Sequence, residues 1–184
     1  MEGQSIVLEE KYDSGWISEG THFEQPASPH PNHIFNWTTK QWLDPRTLDQ
    51  IKAAQWVKIQ VVREGRAMSG GWIAAGKWFH SDLSSISKQL GLVRKADRVA
   101  ATGGDMTAGF AGAGPGGKLY WKTMDGSFVL MTAALAIAIF DASEHTQGLL
   151  FARAEQHKAA MQAAPDPEAY DYTVGWPLTY GDTL

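Results

Sequence analysis

Apolar positions along this chain fall into short clusters, each followed by a longer stripe with helical spacing. The clearest case begins at Lys118. Two β-prone runs, Leu119–Met124 and Ser127–Leu130, flank Asp125-Gly126. That dipeptide supplies the positive φ angles of a two-residue hairpin turn. From Thr132 the chain runs to Pro165 without proline, and Gly148 is its single glycine. Alanine and long straight side chains dominate, so the pattern predicts one helix from about Thr132 to Ala164, capped by Thr132. At ~1.5 Å per residue it is roughly 50 Å long, and a helix of that length packs along something.

Two earlier stretches repeat the order. Ile34–Trp42 reads as a hairpin. Asp44-Pro45 then reads as an N-cap followed by proline at the first helical position. Leu48, Ile51, Gln55, Ile59 and Val62 follow at gaps of 3, 4, 4 and 3, an amphipathic stripe with one polar break. Trp56–Val62 also alternates as a strand does, but cap and stripe agree on helix. Trp72–Phe79 is the second hairpin, turning near Ala75-Gly76. Ser81 or Asp82 caps the next helix, whose buried face is expected at Leu83, Ile86, Leu90 and Val93. Trp72 to Phe79 and Trp121 to Phe128 share one spacing, which suits one aromatic on each hairpin arm. The pattern predicts an α+β fold: small β-hairpins each followed by a helix, ending in one long C-terminal helix, with an extended N-terminal arm and a C-terminal tail.

Between and around these units the chain divides further. Residues 1–32 form the arm, with short strands at Ser5–Glu10 and Gly15–Ser18 and a proline-rich connector from Pro26 to Pro31. Residues 33–102 hold the first hairpin–helix units. Residues 103–117 are glycine-rich and read as a linker. Residues 118–165 hold the last hairpin and the long helix, and 166–184 the aromatic tail. The first turns of the long helix, Ala133–Phe140, are apolar all round and expected to be buried on every side. The stripe then narrows to Leu149, Leu150, Phe151 and Ala154. The tail cannot form a core by itself, so it lies on this chain or on a neighbour.

Composition narrows the function classes. The formal charge is −4 with pI near 5.8, which gives no reason to expect nucleic acid. Cysteine is absent, so disulfides and thiolate metal sites are excluded. The most apolar window, Val129–Ala142, is shorter than the ~20 residues a membrane span needs. Of the eight tryptophans, most are expected in cores, with Trp16 and Trp176 as the exposed exceptions. His30-x-x-His33 lacks a third ligand nearby, and His145 and His157 read as surface histidines. Gly112-x-Gly114-x-x-Gly117 matches a dinucleotide fingerprint only formally, because a strand rather than a helix follows it. Glu9-Glu10 points its carboxylates apart, and no nucleophile motif is present. The expectation is a non-enzymatic protein with no cofactor and no metal.

The block Trp121-Lys122-Thr123-Met124-Asp125-Gly126-Ser127-Phe128-Val129-Leu130-Met131-Thr132-Ala133-Ala134 resembles the signature of an uncharacterised domain family in tail-associated proteins of tailed bacteriophages. Leu150–Ala154 with His157-Lys158 resembles the second half of that family's Ala-rich helix. Phe79-x-x-Asp82-x-x-Ser85, Ile59–Arg63 and the Phe35–Trp42 hairpin are similar to its upstream pieces. Two positions depart from the pattern. Gln60 replaces a common lysine, and Leu135 replaces the acid that completes a capping box with Thr132.

The resemblance implies a phage tail context: a structural or adaptor component near the tail fibre or baseplate, located in the virion tail and in the host cytoplasm during assembly. It implies other tail or fibre proteins as partners, with a homo-oligomer expected; charge and the short apolar window give the further expectation of neither nucleic acid nor membrane. The alternatives are a fibre-assembly chaperone that leaves the particle, and a glycan-binding module using Trp16, Trp37 or Trp176. The residues expected to meet partners are Trp16, Phe23, Leu149, Leu150, Phe151, Tyr172, Trp176 and Tyr180.

Overall fold

The computed structural model describes residues 25–182. The expected strands at Ser5–Glu10 and Gly15–Ser18, and the partner residues Trp16 and Phe23, lie outside that range. Elements run β1 (Ile34–Asn36), β2 (Gln41–Leu43), α1 (Leu48–Ser69), β3 (Trp72–Ala74), β4 (Lys77–Phe79), α2 (Leu83–Ala101), β5 (Ala111–Gly114), β6 (Tyr120–Lys122), β7 (Phe128–Leu130) and α3 (Ala133–Ala163). The described residues form an α+β fold, with three small antiparallel hairpins and a long last helix. The described chain divides into two compact units within α1, between Ile51 and Lys52.

In the first unit β1 pairs with β2, with Phe35 opposite Trp42. Phe35 is buried, edge-on to Trp37 at 4.9 Å and to Trp42 at 5.2 Å. Trp42 Nε1 donates to the Pro26 carbonyl at 2.9 Å, tying the proline-rich connector to the hairpin. The cap expected at Asp44 is displaced. Asp44 binds Arg46 through its backbone N–H and its guanidinium. The helix is capped at Thr47: Gln50 N–H donates to Thr47 Oγ1, and Thr47 N–H donates back to Gln50 Oε1 at 2.8 Å. That reciprocal pair is a capping box, which satisfies two backbone donors where the proline offered one missing N–H.

In the second unit, β3 and β4 pair with Trp72 opposite Phe79, as the seven-residue spacing suggests. Ala75 and Gly76 both take positive φ, the geometry of a tight two-residue turn. The third hairpin departs from this plan. Trp121 faces Val129 and Phe128 faces Lys122, so the register has slipped by one. Its loop is also longer: Thr123 N–H donates to the Ser127 carbonyl, and of the Asp125-Gly126 pair only Gly126 has positive φ.

The glycine-rich segment is built into the fold. Phe110 N–H donates to the Met131 carbonyl, Leu119 N–H to Phe110, and Ala134 N–H to Met106. A Cβ on Gly112 would sit 2.8 Å from the Leu119 Cα, so glycine is required where these backbones meet. The three fingerprint glycines lead through a 3-10 turn at Pro115–Gly117 and open no helix.

One core gathers Trp72, Ala74, Phe79, Leu92, Ala96, Met131, Ala133, Ala136 and Ile139. The expected buried face of α2 is half right: Ile86 packs against the core and Val93 is half-buried. Leu83 is 70% exposed and Leu90 also faces outward, while Gln89, Leu92 and Ala96 are buried. Close approach to α3 favours the small Ala96, and Gln89 is admitted because its Nε2 donates to the His80 carbonyl at 3.0 Å. Asp82 is the cap, accepting from Ser85 N–H. Ser81 Oγ instead accepts from Gly71 N–H. The start of α3 packs on this core, but Ala134 faces out, so it is not buried on every side.

A second core joins Ile59 of α1, Leu150, Ala154 and Met161 of α3, and Trp176 from the tail. Trp56 lies under Lys158 and Phe151 under Arg63, so α1 and the end of α3 run antiparallel. The tail 165–182 crosses this pair as a strap. Gln55 Nε2 donates to Glu168 O near one end of α1, and Tyr180 N–H donates to Gly70 O at the other.

Candidate functional site

Three features stand out, and each grows from a local sequence cue. The first is a polar clasp between the second and third hairpins. Met124 N–H donates to the Trp78 carbonyl, which brings Lys77 against the turn. Lys77 Nζ lies 2.7 Å from Asp125 Oδ2 and 3.0 Å from Ser127 Oγ. Asp125 Oδ1 accepts from Thr123 Oγ1, Ser127 N–H and Ser127 Oγ. The Lys77 ammonium, then the two hydroxyls, hold the Asp125 carboxyl well below the usual carboxylate range. This is the Thr-x-Asp-Gly-Ser part of the block read from sequence. A serine beside a lysine invites comparison with a nucleophile and its base. An ammonium bound to a carboxylate has no lone pair to accept the hydroxyl proton, however, and Thr123 is buried. The cluster closes a loop and pins two hairpins together.

The second feature is the seat of the strap. His157, expected at the surface, is 1% exposed. Its Nε2 lies 3.1 Å from the Val174 carbonyl, which can only accept, so Nε2 carries the proton. Nδ1 then accepts from the Tyr170 hydroxyl at 2.9 Å. The ring stacks on Trp176 at 5.1 Å. Burial, then the neighbouring Arg153 charge, pushes the His157 pKa down. Arg153 donates to the same Val174 carbonyl and to Gln156. Asp171 Oδ1, on the strap, accepts from Thr173, whose bonds hold its carboxyl below the usual range.

The third feature is an outward apolar row. Val57, Val61 and Met68 lie opposite Ile59 on α1, and Val57 and Val61 are 56% and 66% exposed. Leu149 and Phe151 are exposed on α3, the latter under Arg63.

Of the residues expected to meet partners, Leu149, Phe151 and Tyr180 are exposed, and Tyr172 is half-buried. Leu150 and Trp176 are corrected: both are core residues, because the strap closes over the α1–α3 groove and buries them within this chain. Val57, Val61 and Met68 were missed, although their helical spacing marks a second stripe behind the first. Arg153 and His157 were missed because their partners arrive from the strap.

Among the described residues no group of three His, Cys, Asp or Glu side chains could hold a metal ion. None of the helices described is long and apolar enough to cross a membrane. No curated protein and no solved structure matches the chain. Residues 50–174, more than half of the chain, match the model of a family described as a domain of unknown function, DUF4376. That stretch spans α1, both later hairpins, α2, α3 and the first part of the strap, and the chain belongs to the DUF4376 family.

Proposed function

We propose that this protein is a structural or adaptor component of a bacteriophage tail, positioned near the fibre or baseplate and acting by protein–protein docking. The tail context rests on the resemblance carried by Trp121–Ala134, Phe79–Ser85 and Leu150–Lys158. The docking mode rests on one observation: α1 is apolar on two opposite faces. Ile59 meets the second core, while Val57, Val61 and Met68 face solvent. A helix with a covered and an uncovered apolar side serves two neighbours, one intramolecular and one not. The partners are other tail proteins and further copies of this chain.

Mass spectrometry of purified particles tests the reading, with this chain expected at a fixed ratio to a tail subunit. Its absence from the particle, together with a raised yield of soluble fibre on co-expression, would replace the structural role with a chaperone role. Trp176 is a poor candidate for stacking on a sugar, since it is buried within the chain beside His157.

A further inference from the structure

A notch of about 300 Å³ opens where α2 crosses the third hairpin, lined by Lys88, Gly91, Leu92, Lys95, Leu119 and Trp121. Lys88 and Lys95 stand two helical turns apart on one side of α2, roughly 10 Å along the axis. Gly91 lies between them, and a Cβ built there meets no atom within 4 Å, so the missing side chain leaves the space open. Leu92, Leu119 and the half-buried Trp121 make the apolar wall.

The charges are unusual for this molecule. The chain carries −4 overall, yet α2 holds Lys88, Arg94, Lys95 and Arg98 against a single acid, Asp97. At about 100° per residue Asp97 falls on the opposite side of the helix from Lys88. Among the described residues none of the four basic side chains is in an ion pair. A row of cations with no acid facing it complements an anionic partner.

We infer that this face of α2 docks an acidic segment of a partner protein, with one apolar side chain seated at Gly91 and carboxylates meeting Lys88 and Lys95. The notch is what separates a peptide from a polyanion such as nucleic acid. A phosphate backbone has no apolar group to seat against a wall of leucine and indole. The inference goes beyond the tail reading and does not depend on it.

The probe is a short fluorescein-labelled peptide with a central Leu flanked on both sides by Asp and Glu, titrated with the full chain and read by polarisation. Saturable binding is expected, weakening several-fold as salt rises from ~50 to ~300 mM. Lys88→Glu/Lys95→Glu should weaken it about tenfold. Gly91→Leu should weaken it about fivefold by filling the notch, while the thermal midpoint holds or rises because Leu is the better helix former. Amide shifts mapped to α2 and β6 would place the peptide at the notch. Three results would overturn the inference: no saturable binding, equal binding of a peptide with the same charge but no apolar residue, or tighter lysine-dependent binding of a single-stranded oligonucleotide. Whether the protein is found in particles bears on none of these outcomes.

Discussion

At the residue scale, three positions carry more of the structure than their surroundings suggest. Asp125 is exposed, yet it accepts from Lys77, Thr123 and Ser127 at once. Because its carboxyl is held below its ordinary value near 4, the clasp contributes stability that is complete at neutral pH and is lost as pH falls below about 4. Asp125→Asn should lower the urea midpoint at pH 7 and flatten the loss of stability on acidification. His157 has the same sign for a different reason. Its pKa is pushed below about 6.5, so the unfolded chain takes up the proton first and stability declines as pH falls below that value. Protonation also gives Nδ1 a hydrogen where Tyr170 already donates one, and adds a cation beside Arg153. Equilibrium unfolding of His157→Gln should therefore show a shallower dependence on pH between about 7 and 5. Gly175 holds positive φ with the Arg153 guanidinium packed against it, so Gly175→Ala should cost on the order of 2 kcal/mol, measured by denaturant unfolding. Of these three, only Asp125 was singled out in the sequence, as a turn residue: Thr123 and Ser127 lie within two residues of it, whereas Lys77 arrives from the second hairpin. The partners of His157 and Gly175 lie a dozen or more residues away.

At the scale of elements, the hairpins and helices followed from local pattern, and their faces did not. Alternation, turn dipeptides and helical spacing are short-range properties, so β3–β4, α1 and the extent of α3 could be read directly. Which side of α2 is buried depended on α3. Leu83 and Leu90 fit the stripe, but the close crossing selects Ala96 and Leu92. The strap is the clearest tertiary element, since its isolated sequence has no regular structure. It covers Ile59, Leu150, Ala154 and Met161. Trp176→Ala should cost about 3 kcal/mol through loss of buried aromatic area. Deleting residues 165–184 should make the protein bind a hydrophobic dye and should raise amide exchange in the facing parts of α1 and α3. A truncated chain that exchanges as slowly as the full one would show that the strap does not stabilise that half.

At the scale of the whole molecule, the uncovered apolar row and the basic side of α2 are two surfaces of different chemistry. Val57→Glu with Val61→Glu should leave stability within about 0.5 kcal/mol, because neither side chain packs inside the chain. The same pair should prevent incorporation into particles. Retained incorporation at wild-type level would remove α1 as the docking face. The resemblance pointed to a tail context, whereas the surface that would serve it was only partly visible in the sequence: Leu149 and Phe151 were expected and are exposed, and Trp176 was expected and is enclosed.

By itself the sequence determined the α+β class, the turn at Ala75-Gly76, a cap at Ser81 or Asp82 and the unbroken helix after Thr132. Each depends on dihedral preference or on hydrogen bonds between residues a few positions apart. Only the tertiary structure decided that the glycine-rich stretch is woven into the third hairpin, that the tail is a strap, and that His157 is enclosed. Those outcomes depend on which surfaces meet across long separations, and excluding water from Ile59, Leu150 and Met161 required a cover that no local pattern specifies.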